Sequence, residues 1–406
     1  MLKKLIPTLF LFLSTSLLGA ARTTNYDFPP VDDLPFQKGM SDPFLMADGT
    51  RVQNLEDWGK QREYIQAMLA HYLYGKVPPI PKQIEVTLLG SEIVFEGAGV
   101  KENYSLSISR NGKSVTCLFV VLRPSAKQRY PTIIKNDRVA LDEELESDTA
   151  FAGEKAVRRG YLFARFNRTD LATDTRGEGR DAGVYPLYPN YDWTALSVWG
   201  WGHALVLNAL NQVGLTQVDR VVATGHSRGG KAALYAGIFD ERIAITAPNS
   251  SGTGGTGSYR FFENGQKPQT IRSHVGKNER WFHANYFTFA DKEEFMPFDS
   301  HFSRVLVAPR AFINCHARED YHTNPLGTEL THLATQTVYE WMSAEENIAI
   351  HWRDGGHAQN KEDWITLLDF ADLQFFGKPS KTVFNNWAYP DAELPFDWRA
   401  PSAIKN

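Results

Sequence analysis

Short apolar runs and helical repeats of apolar residues alternate along the chain. The runs that predict buried strands cover residues 84–89, 104–109, 114–122, 131–135, 161–166, 218–223, 242–246, 310–314 and 348–352. Apolar residues at helical spacing predict helices over residues 55–75, 143–159 and 193–213. Asn111-Gly112 separates the second and third runs and is typical of a hairpin turn. This alternation predicts a mostly parallel sheet that begins with antiparallel strands.

Three segments lack such periodicity. Residues 22–54 are rich in Pro and Asp and are expected to wrap the surface, and residues 249–259 form a loop of Gly, Ser and Thr. Residues 167–192 are polar and rich in Gly. Long loops inside compact domains tend to be functional, so residues 167–192 are expected to contribute to a site.

One predicted strand-to-helix junction carries a chemical motif. Gly225-His226-Ser227-Arg228-Gly229 follows a β-branched run and precedes small residues that predict a helix. This is the G-x-S-x-G pattern of a nucleophile elbow, in which the serine stands on a tight turn between glycines. Its hydroxyl then projects above the sheet, and N–H groups at the helix start face an oxyanion. A turn with a merely capping serine has the same five letters, but the flanking strand and helix favour a nucleophile.

The elbow predicts an α/β-hydrolase fold, a three-layer sandwich in which helices flank a mostly parallel sheet. That fold orders its catalytic residues as Ser, acid and His. His357 follows the last predicted strand in a Gly-Gly-His loop and is expected to be the base. Asp320, after the preceding strand, is expected to be the acid that orients the imidazole, with Glu319 as the alternative. Asp354 is too near His357 in sequence to be preferred, and His226 is expected to be structural.

Two cations, Arg228 and Lys231, follow the predicted nucleophile. A lipase elbow needs an apolar acyl pocket, whereas cations favour a polar or anionic acyl group. They would also stabilise a tetrahedral oxyanion by about 3 kcal/mol. Cations are unfavourable in the first turn of a helix, so their presence favours a functional role over a surface one.

Composition narrows the function classes. Of the 406 residues, 42% are hydrophobic, which is enough for a large core, and the net charge of −4 gives no reason to expect a nucleic-acid partner. The aromatic share of 13%, with ten Trp, suits a protein that handles sugar rings, although core packing explains most aromatic residues. Cys117 and Cys315 lie in strand-like runs and are expected to be buried free thiols. No Cys/His spacing resembles a zinc site, and neither a metal nor a cofactor is expected.

The N-terminus has the pattern of a secretory signal peptide over residues 1–20. Two lysines precede an apolar run over residues 5–18, and small residues follow it. The run is too short and wrongly flanked for a membrane span. Cleavage removes two lysines and no acid, so the net charge of the mature chain is −6. Residues 21–406 are then expected to be a secreted or periplasmic monomer, with a single hydrolase domain, an N-terminal wrapping segment and an extended C-terminal tail.

The elbow and several other motifs together resemble one known family. Gly-His-Ser-Arg-Gly-Gly-Lys-Ala at residues 225–232 resembles the Gly-Cys-Ser-Arg-x-Gly-Lys-Gly/Ala motif of glucuronoyl esterases, carbohydrate esterase family 15. Further segments that resemble the family lie at Trp58 and at residues 42–44, 48–50, 72–75, 78–79, 199–202, 239–244, 281–282 and 297–301. The resemblance covers most of residues 40–375.

The resemblance implies a hydrolase for the ester between 4-O-methyl-glucuronic acid on xylan and a lignin alcohol, with no cofactor. It implies that Ser227 attacks the uronate carbonyl and that His357 is the base. It also implies that Arg228 holds the oxyanion through its backbone N–H and guanidinium. Lys231 would hydrogen-bond the sugar hydroxyls.

Other positions depart from the family pattern. The Pro-Gln-Glu-Ser-Gly segment that carries the acid in many members reads Pro-Asn-Ser-Ser-Gly at residues 248–252, so Ser250 replaces the Glu. Some bacterial members use an acid after the later strand, where Asp320 lies. Tyr321 lies where the family often has a Trp against the sugar, and Glu279 is a candidate for a further sugar contact.

Three functions stay open from the sequence. The favoured one is a secreted serine carboxylic-ester hydrolase acting on a glucuronate ester of xylan or a small-molecule uronate ester, through an acyl-enzyme on Ser227. An acetyl-xylan or other carbohydrate esterase would use the same triad. A catalytically inactive carbohydrate-binding homologue would require that the acid is truly lost.

Overall fold

A nine-stranded sheet forms the centre of the protein. The computed structural model describes residues 26–138 and 147–402. Its strands are β1 (Glu85–Val94), β2 (Gly99–Arg110), β3 (Lys113–Pro124), β4 (Tyr130–Asp137), β5 (Leu162–Asn167), β6 (Thr216–His226), β7 (Ile243–Asn249), β8 (Ala311–Ala317) and β9 (Ile348–Arg353). They lie side by side in the order β1-β2-β3-β5-β4-β6-β7-β8-β9.

Strand direction divides the sheet into two parts. Strands β1, β2 and β3 are antiparallel to one another, and β3 is antiparallel to β5. From β5 to β9 all neighbours are parallel. Asn111 and Gly112 join β2 to β3 with φ angles of 54° and 70°, the left-handed pair that a two-residue hairpin turn requires. The predicted hairpin and mostly parallel sheet are confirmed, and the parallel strands end at one common edge.

Helices connect the strands and cover the sheet. They are α1 (Leu55–Leu69), α2 (Ser147–Arg158), α3 (Arg168–Leu171), α4 (Ala195–Gln212), α5 (Arg228–Phe239), α6 (Ile271–His274), α7 (Ala284–Phe287), α8 (His301–Val305), α9 (Pro325–Trp341) and α10 (Lys361–Phe376). A π-helical turn over Ala70–Tyr74 continues α1. Short 3-10 helices lie at Val31–Asp33, Phe95–Gly97, Tyr185–Leu187, Glu279–Trp281, Glu293–Phe295, Tyr321–Thr323 and Glu345–Asn347.

The parallel part of the sheet is buried on both faces, and its central strands are apolar at successive positions. Val222 and Ile313 pack in one core with residues of α2 and α10. Val221 and Phe312, their neighbours in sequence, pack in the other core with residues of α1, α4, α5 and α9. Successive side chains of a strand point to opposite faces, so continuous apolar strands need cover on both sides. The predicted three-layer α/β-hydrolase sandwich is confirmed.

Some elements differ from the sequence expectation. Helices α9 and α10 are absent from the predicted helices, although Trp364, Leu367, Leu368 and Ala371 of α10 are buried and spaced as on one helix face. Helix α2 lies within the predicted helix 143–159, whose first four positions lie outside the described residues. The predicted loop 167–192 contains α3 and a short 3-10 helix.

The segment before α1 contacts the tail after α10. The Met40 N–H donates to the Pro395 carbonyl at 2.7 Å, and the Trp398 indole N–H donates to the Met40 carbonyl at 2.8 Å. Cys117 and Cys315 are buried and unpaired, as predicted. The predicted signal peptide lies outside the described residues, and within them no helix is long and apolar enough to cross a membrane.

Candidate active site

Ser227 stands on the tight turn between β6 and α5. Its φ of 55° and ψ of −119° form a strained backbone conformation for a non-glycine residue. The glycines beside it leave no room for side chains. A Cβ on Gly225 would collide with the carbonyl of Gly229, and a Cβ on Gly229 would lie 2.8 Å from Asn136 Oδ1. The turn therefore has the geometry expected of a nucleophile elbow.

Three side chains meet at the carboxyl edge of the sheet. Ser227 follows β6, Asp320 follows β8 and His357 follows β9. His357 Nε2 lies 3.0 Å from Ser227 Oγ, and His357 Nδ1 lies 2.8 Å from Asp320 Oδ2. With the imidazole proton on Nδ1, Nε2 can accept the serine proton. The structure thus brings together the three residues predicted as nucleophile, base and acid.

Asp320 is buried beneath His357. The Asp320 side chain is 1% exposed, whereas that of His357 is 34% exposed. Burial by itself raises the pKa of this carboxyl group, but the hydrogen bond from His357 and the influence of His316 and Thr323 outweigh it and hold the pKa at about 2. Asp320 is therefore ionised at neutral pH and can stabilise a protonated imidazole.

The other acidic candidates make different contacts. Glu319 accepts a hydrogen bond from the backbone of the His357 loop, and Asp354 pairs with a neighbouring arginine at 3.0 Å. Ser250, at the position that carries the acid in many family members, is fully buried in a left-handed conformation with φ of 43°. Asp320 is thus the acid that the geometry favours.

His226 lies against the catalytic histidine. Its Nδ1 lies 2.6 Å from Asn249 Oδ1, and its ring centroid lies 4.5 Å from that of His357. Burial, followed by repulsion from His357, lowers the pKa of His226 to about 4, so the ring is neutral at pH 7. The half-buried residue lines the cavity beside Ser227 and packs against one side of the His357 ring, and its structural role stays a prediction.

A cavity of about 810 Å³ opens beside Ser227. Its lining comes from the ends of β4 and β6, from α2 and from the loops after β5 and β9. Lys135, Arg168, Asp174, Arg228 and His357 are among the lining residues. Charged groups of this kind suit a polar substrate better than an aliphatic one.

Arg228 places two kinds of donor next to the nucleophile. As the first residue of α5, it has a backbone N–H with no acceptor inside the helix. Its guanidinium Nη1 donates to Asp174 Oδ2 at 2.8 Å and lies above the Trp281 ring, with 4.8 Å from Cζ to the centroid. Arg228 and Ser227 line the same cavity, and donors of this kind can stabilise an ester oxygen that becomes negatively charged.

Asp174 is a member of the site that sequence reasoning missed. It lies in the loop after β5, within the segment 167–192 that is expected to be functional, and its side chain is 0% exposed. Its carboxylate also accepts from Arg280 Nη2 at 3.0 Å and from Trp281 Nε1 at 2.9 Å. The loop's length and polarity were the only signal, and they do not single out one acid.

Lys231 lies buried on the first turns of α5. Its Nζ donates to the Ser251 carbonyl and, at 3.3 Å, to Gln269 Oε1. Burial first, and Arg228 second, lower the pKa of Lys231 to about 7, although Asp320 opposes the shift. Gln269 was not identified from the sequence, because no motif marks the loop that carries it.

The two candidates for further sugar contacts, Tyr321 and Glu279, lie in different parts of the structure. Tyr321 begins a 3-10 helix directly after Asp320, and it is 47% exposed. Glu279 lines a second cavity, of about 670 Å³, together with Arg180 and Asp192. Glu279 is not among the described residues that line the Ser227 cavity. Sugar contacts by these two residues stay predictions.

Sequence comparisons show which family the chain is similar to. The chain matches the family model of glucuronyl esterases of fungi over residues 106–343. It is 31% identical to a 4-O-methyl-glucuronoyl methylesterase of Podospora anserina, over 68% of this chain and 55% of that protein. It is 28% identical to a 4-O-methyl-glucuronoyl methylesterase of Schizophyllum commune, over 96% of this chain and 99% of that protein. The chain thus spans about half of the first relative and nearly all of the second.

A solved structure agrees as well. A carbohydrate esterase family 15 glucuronoyl esterase from Caldicellulosiruptor kristjansonii superimposes with a TM-score of 0.77 and 28% sequence identity, over 91% of this chain and 99% of that one. The family model covers more than half of the chain, including the elbow and Asp320. The chain therefore belongs to the glucuronoyl esterase family of carboxylic ester hydrolases.

Proposed function

We propose that the protein is exported and hydrolyses esters of glucuronic acid or 4-O-methyl-glucuronic acid, in xylan or lignin–carbohydrate material, through an acyl-enzyme on Ser227. The observation that carries the proposal is the continuous hydrogen-bond chain from Ser227 through His357 to Asp320, with Arg228 beside the serine. The two fungal relatives are named as methylesterases of the same uronic acid.

The first half-reaction begins with attack of Ser227 Oγ on the ester carbonyl carbon. His357 Nε2 takes the hydroxyl proton as the new C–O bond forms, and Asp320 stabilises the resulting imidazolium. The carbonyl oxygen becomes an oxyanion, which the donors of Arg228 stabilise. When the tetrahedral intermediate collapses, the bond to the alcohol oxygen breaks and that oxygen takes the proton from Nε2.

The second half-reaction releases the acid. Water gives a proton to His357 Nε2 and attacks the acyl carbon. The bond between that carbon and Ser227 Oγ breaks, and Oγ regains a proton from Nε2. The products are the uronic acid and the free serine, so no cofactor enters the balance.

The two cations on α5, Arg228 and Lys231, favour a substrate with a polar acyl group. Arg228 borders the cavity beside Ser227, and Lys231 lies on the same turn of α5 with its Nζ held by two oxygen acceptors. A protonated ammonium has three N–H donors, so a third is left over, although Lys231 is buried and is not among the described residues that line the cavity. A hydroxyl-rich uronate ring matches these donors, whereas a fatty acyl chain would leave them unpaired.

The proposal is tested with methyl glucuronate and an acetyl ester as parallel substrates. The unmodified protein is expected to hydrolyse methyl glucuronate, and Ser227→Ala is expected to lower kcat about 10⁶-fold, because the nucleophile is removed. Labelling of Ser227 by a fluorophosphonate checks the activated serine without reference to the acyl group.

The outcomes separate the competing functions. Turnover of only the acetyl ester would overturn the uronate assignment in favour of another carbohydrate esterase. No turnover together with an unlabelled Ser227 would overturn the hydrolase mechanism and favour a carbohydrate-binding homologue.

A further inference from the structure

We propose that Asp174 is a positioning residue that fixes the Arg228 guanidinium beside Ser227 for contact with the oxyanion. The inference rests on the function proposed above, and it adds the loop after β5 to a site whose triad comes from the loops after β6, β8 and β9. Asp174 acts through Arg228 and does not itself touch the reacting atoms.

The Asp174 carboxylate has one orientation because both of its oxygens are held. Oδ2 accepts from Arg228 Nη1 at 2.8 Å and has Arg168 Nη2 at 3.8 Å. Oδ1 accepts from Trp281 Nε1 at 2.9 Å and from Arg280 Nη2 at 3.0 Å. The Asp174 backbone carbonyl also accepts a hydrogen bond from Arg280 Nη2. A carboxylate bound on all sides is a rigid support for any group that it binds.

Arg228 is the one partner of Asp174 that needs such support. Its side chain is 41% exposed, whereas those of Arg168 and Arg280 are 10% and 15% exposed. A long exposed side chain samples many rotamers, and holding it in one place costs entropy during catalysis unless the fold has already ordered it. Asp174 on one side and the Trp281 ring on the other order Arg228 in advance.

The geometry of the guanidinium allows both tasks at once. Arg228 uses Nη1 for Asp174, and the planar fork keeps Nε and Nη2 as donors for a substrate oxygen. A lysine would have a single charged nitrogen for both partners.

A carboxylate near an oxyanion site would be unfavourable if it stood alone. Around Asp174, however, the guanidiniums of Arg168, Arg228 and Arg280 bring three positive charges to one negative charge. The cluster therefore has a net charge of about +2 next to the serine. The negative charge of Asp174 cancels part of the positive field, but its hydrogen bond fixes the direction of the Arg228 donors.

The alternative is that the ion cluster around Asp174 has only a structural role. A double-mutant cycle distinguishes that role from the positioning of Arg228. The variants are Asp174→Asn, Arg228→Gln and the double variant, with kcat and KM measured on methyl glucuronate. Arg228→Gln is expected to lower kcat about 100-fold. Asp174→Asn is expected to lower kcat about 10-fold with KM nearly unchanged, because the guanidinium is displaced. The double variant is expected to match Arg228→Gln alone, since no guanidinium is left to position.

Glu102→Gln is the matched control. The variant removes the buried carboxylate of Glu102 on β2, which accepts a hydrogen bond from Arg123 Nη2 at 2.6 Å. Strand β2 lies four strands from β6 in the sheet. At the usual strand spacing that is about 19 Å from the nucleophile strand. This variant is expected to lower the melting temperature and to keep the unmodified kcat.

Two results would overturn the proposal: an unchanged kcat in Asp174→Asn, or losses that multiply in the double variant. If Asp174→Asn does not fold, the cycle is run with Trp281→Phe, which keeps a ring beneath Arg228 but removes the donor to Asp174 Oδ1. There too, an unchanged kcat or multiplying losses would overturn it. If the unmodified protein does not hydrolyse methyl glucuronate, the substrate proposal fails, and the same cycle is measured by the rate of fluorophosphonate labelling of Ser227.

Discussion

Two buried carboxylates of the site, Asp320 and Asp174, bind different kinds of partner. Asp320 accepts a hydrogen bond from His357, and His316 and Thr323 also lower its pKa. Asp174 accepts from Arg228, Arg280 and Trp281, and both of its oxygens are occupied. One carboxylate therefore faces an imidazole, and the other faces guanidinium groups.

The difference follows from what each partner has to do. In the proposed mechanism the His357 ring becomes positively charged and then neutral within every turnover, so Asp320 has to remain an anion throughout. A pKa of about 2 keeps Asp320 in that state. Arg228 never changes charge, and its support has only to keep it in place. Burial raises the pKa of Asp174, but the hydrogen bonds from Trp281 and Arg228 outweigh it, so this carboxyl group is also ionised.

The largest effect expected from this comparison is the loss of the Asp320 charge. Asp320→Asn keeps the shape of the side chain but no longer favours the imidazole tautomer with its proton on Nδ1. We expect kcat on methyl glucuronate to fall about 10⁴-fold, while Ser227 remains in the elbow.

Glu319→Gln is the matched control for that variant. Glu319 is the adjacent acid, and its carboxylate accepts a hydrogen bond from the backbone of the His357 loop. The side-chain carbonyl oxygen of a glutamine can accept the same hydrogen bond. Its kcat is expected to stay within about twofold of the unmodified value, because surface-loop substitutions of this kind change little. Equal losses in both variants would contradict the assignment of Asp320 as the acid.

The same carboxylate should also be visible in the pH dependence of stability. Its pKa is lowered from 3.8 to about 2 in the folded protein, so folding favours its ionised form. The contribution is fully present above about pH 4 and is lost as the pH falls toward 2, and it amounts to about 2 kcal/mol. Denaturant unfolding of Asp320→Asn should show a deficit of that size at pH 7 that narrows below pH 4. A deficit that does not change with pH would assign the loss to packing rather than to charge.

The juxtaposition of Ser227, Asp320 and His357 could be predicted because local sequence marks each of the three residues. Glycines around Ser227 report a backbone that admits no Cβ, and apolar runs place Asp320 and His357 just after strands. The parallel part of the sheet follows from the same runs, since strands buried on both faces are apolar over much of their length.

Asp174 could not be predicted in this way. Its partners Arg228 and Arg280 lie 54 and 106 positions away in the chain, so no spacing connects them. Ion clusters of this kind depend on how loops fold back over the sheet, and one sequence contains no pattern for that. Glu279 illustrates the same limit, because proximity to Trp281 in sequence did not place it in the Ser227 cavity.

The smallest expected effect on kcat/KM concerns the titration of Lys231. Burial and Arg228 lower its pKa to about 7, and Asp320 opposes that shift. Its ammonium has three donors, of which the Ser251 carbonyl and Gln269 take two. Above pH 7 the neutral amine has only two N–H groups, and none is left for a sugar hydroxyl. We therefore expect kcat/KM to fall about fivefold between pH 7 and pH 8, through KM, since the protonated fraction of the amine drops from about a half at the pKa to about a tenth one pH unit above it.

Lys231→Met tests that origin because it keeps a long apolar stem in the buried slot and removes the titrating nitrogen. Its kcat/KM should be lower than that of the unmodified protein at pH 6 and should not decline between pH 7 and pH 8. The measurement is a pH profile of KM and kcat on methyl glucuronate for both proteins. An unchanged alkaline decline in Lys231→Met would assign the titration to another group and would separate Lys231 from the sugar site.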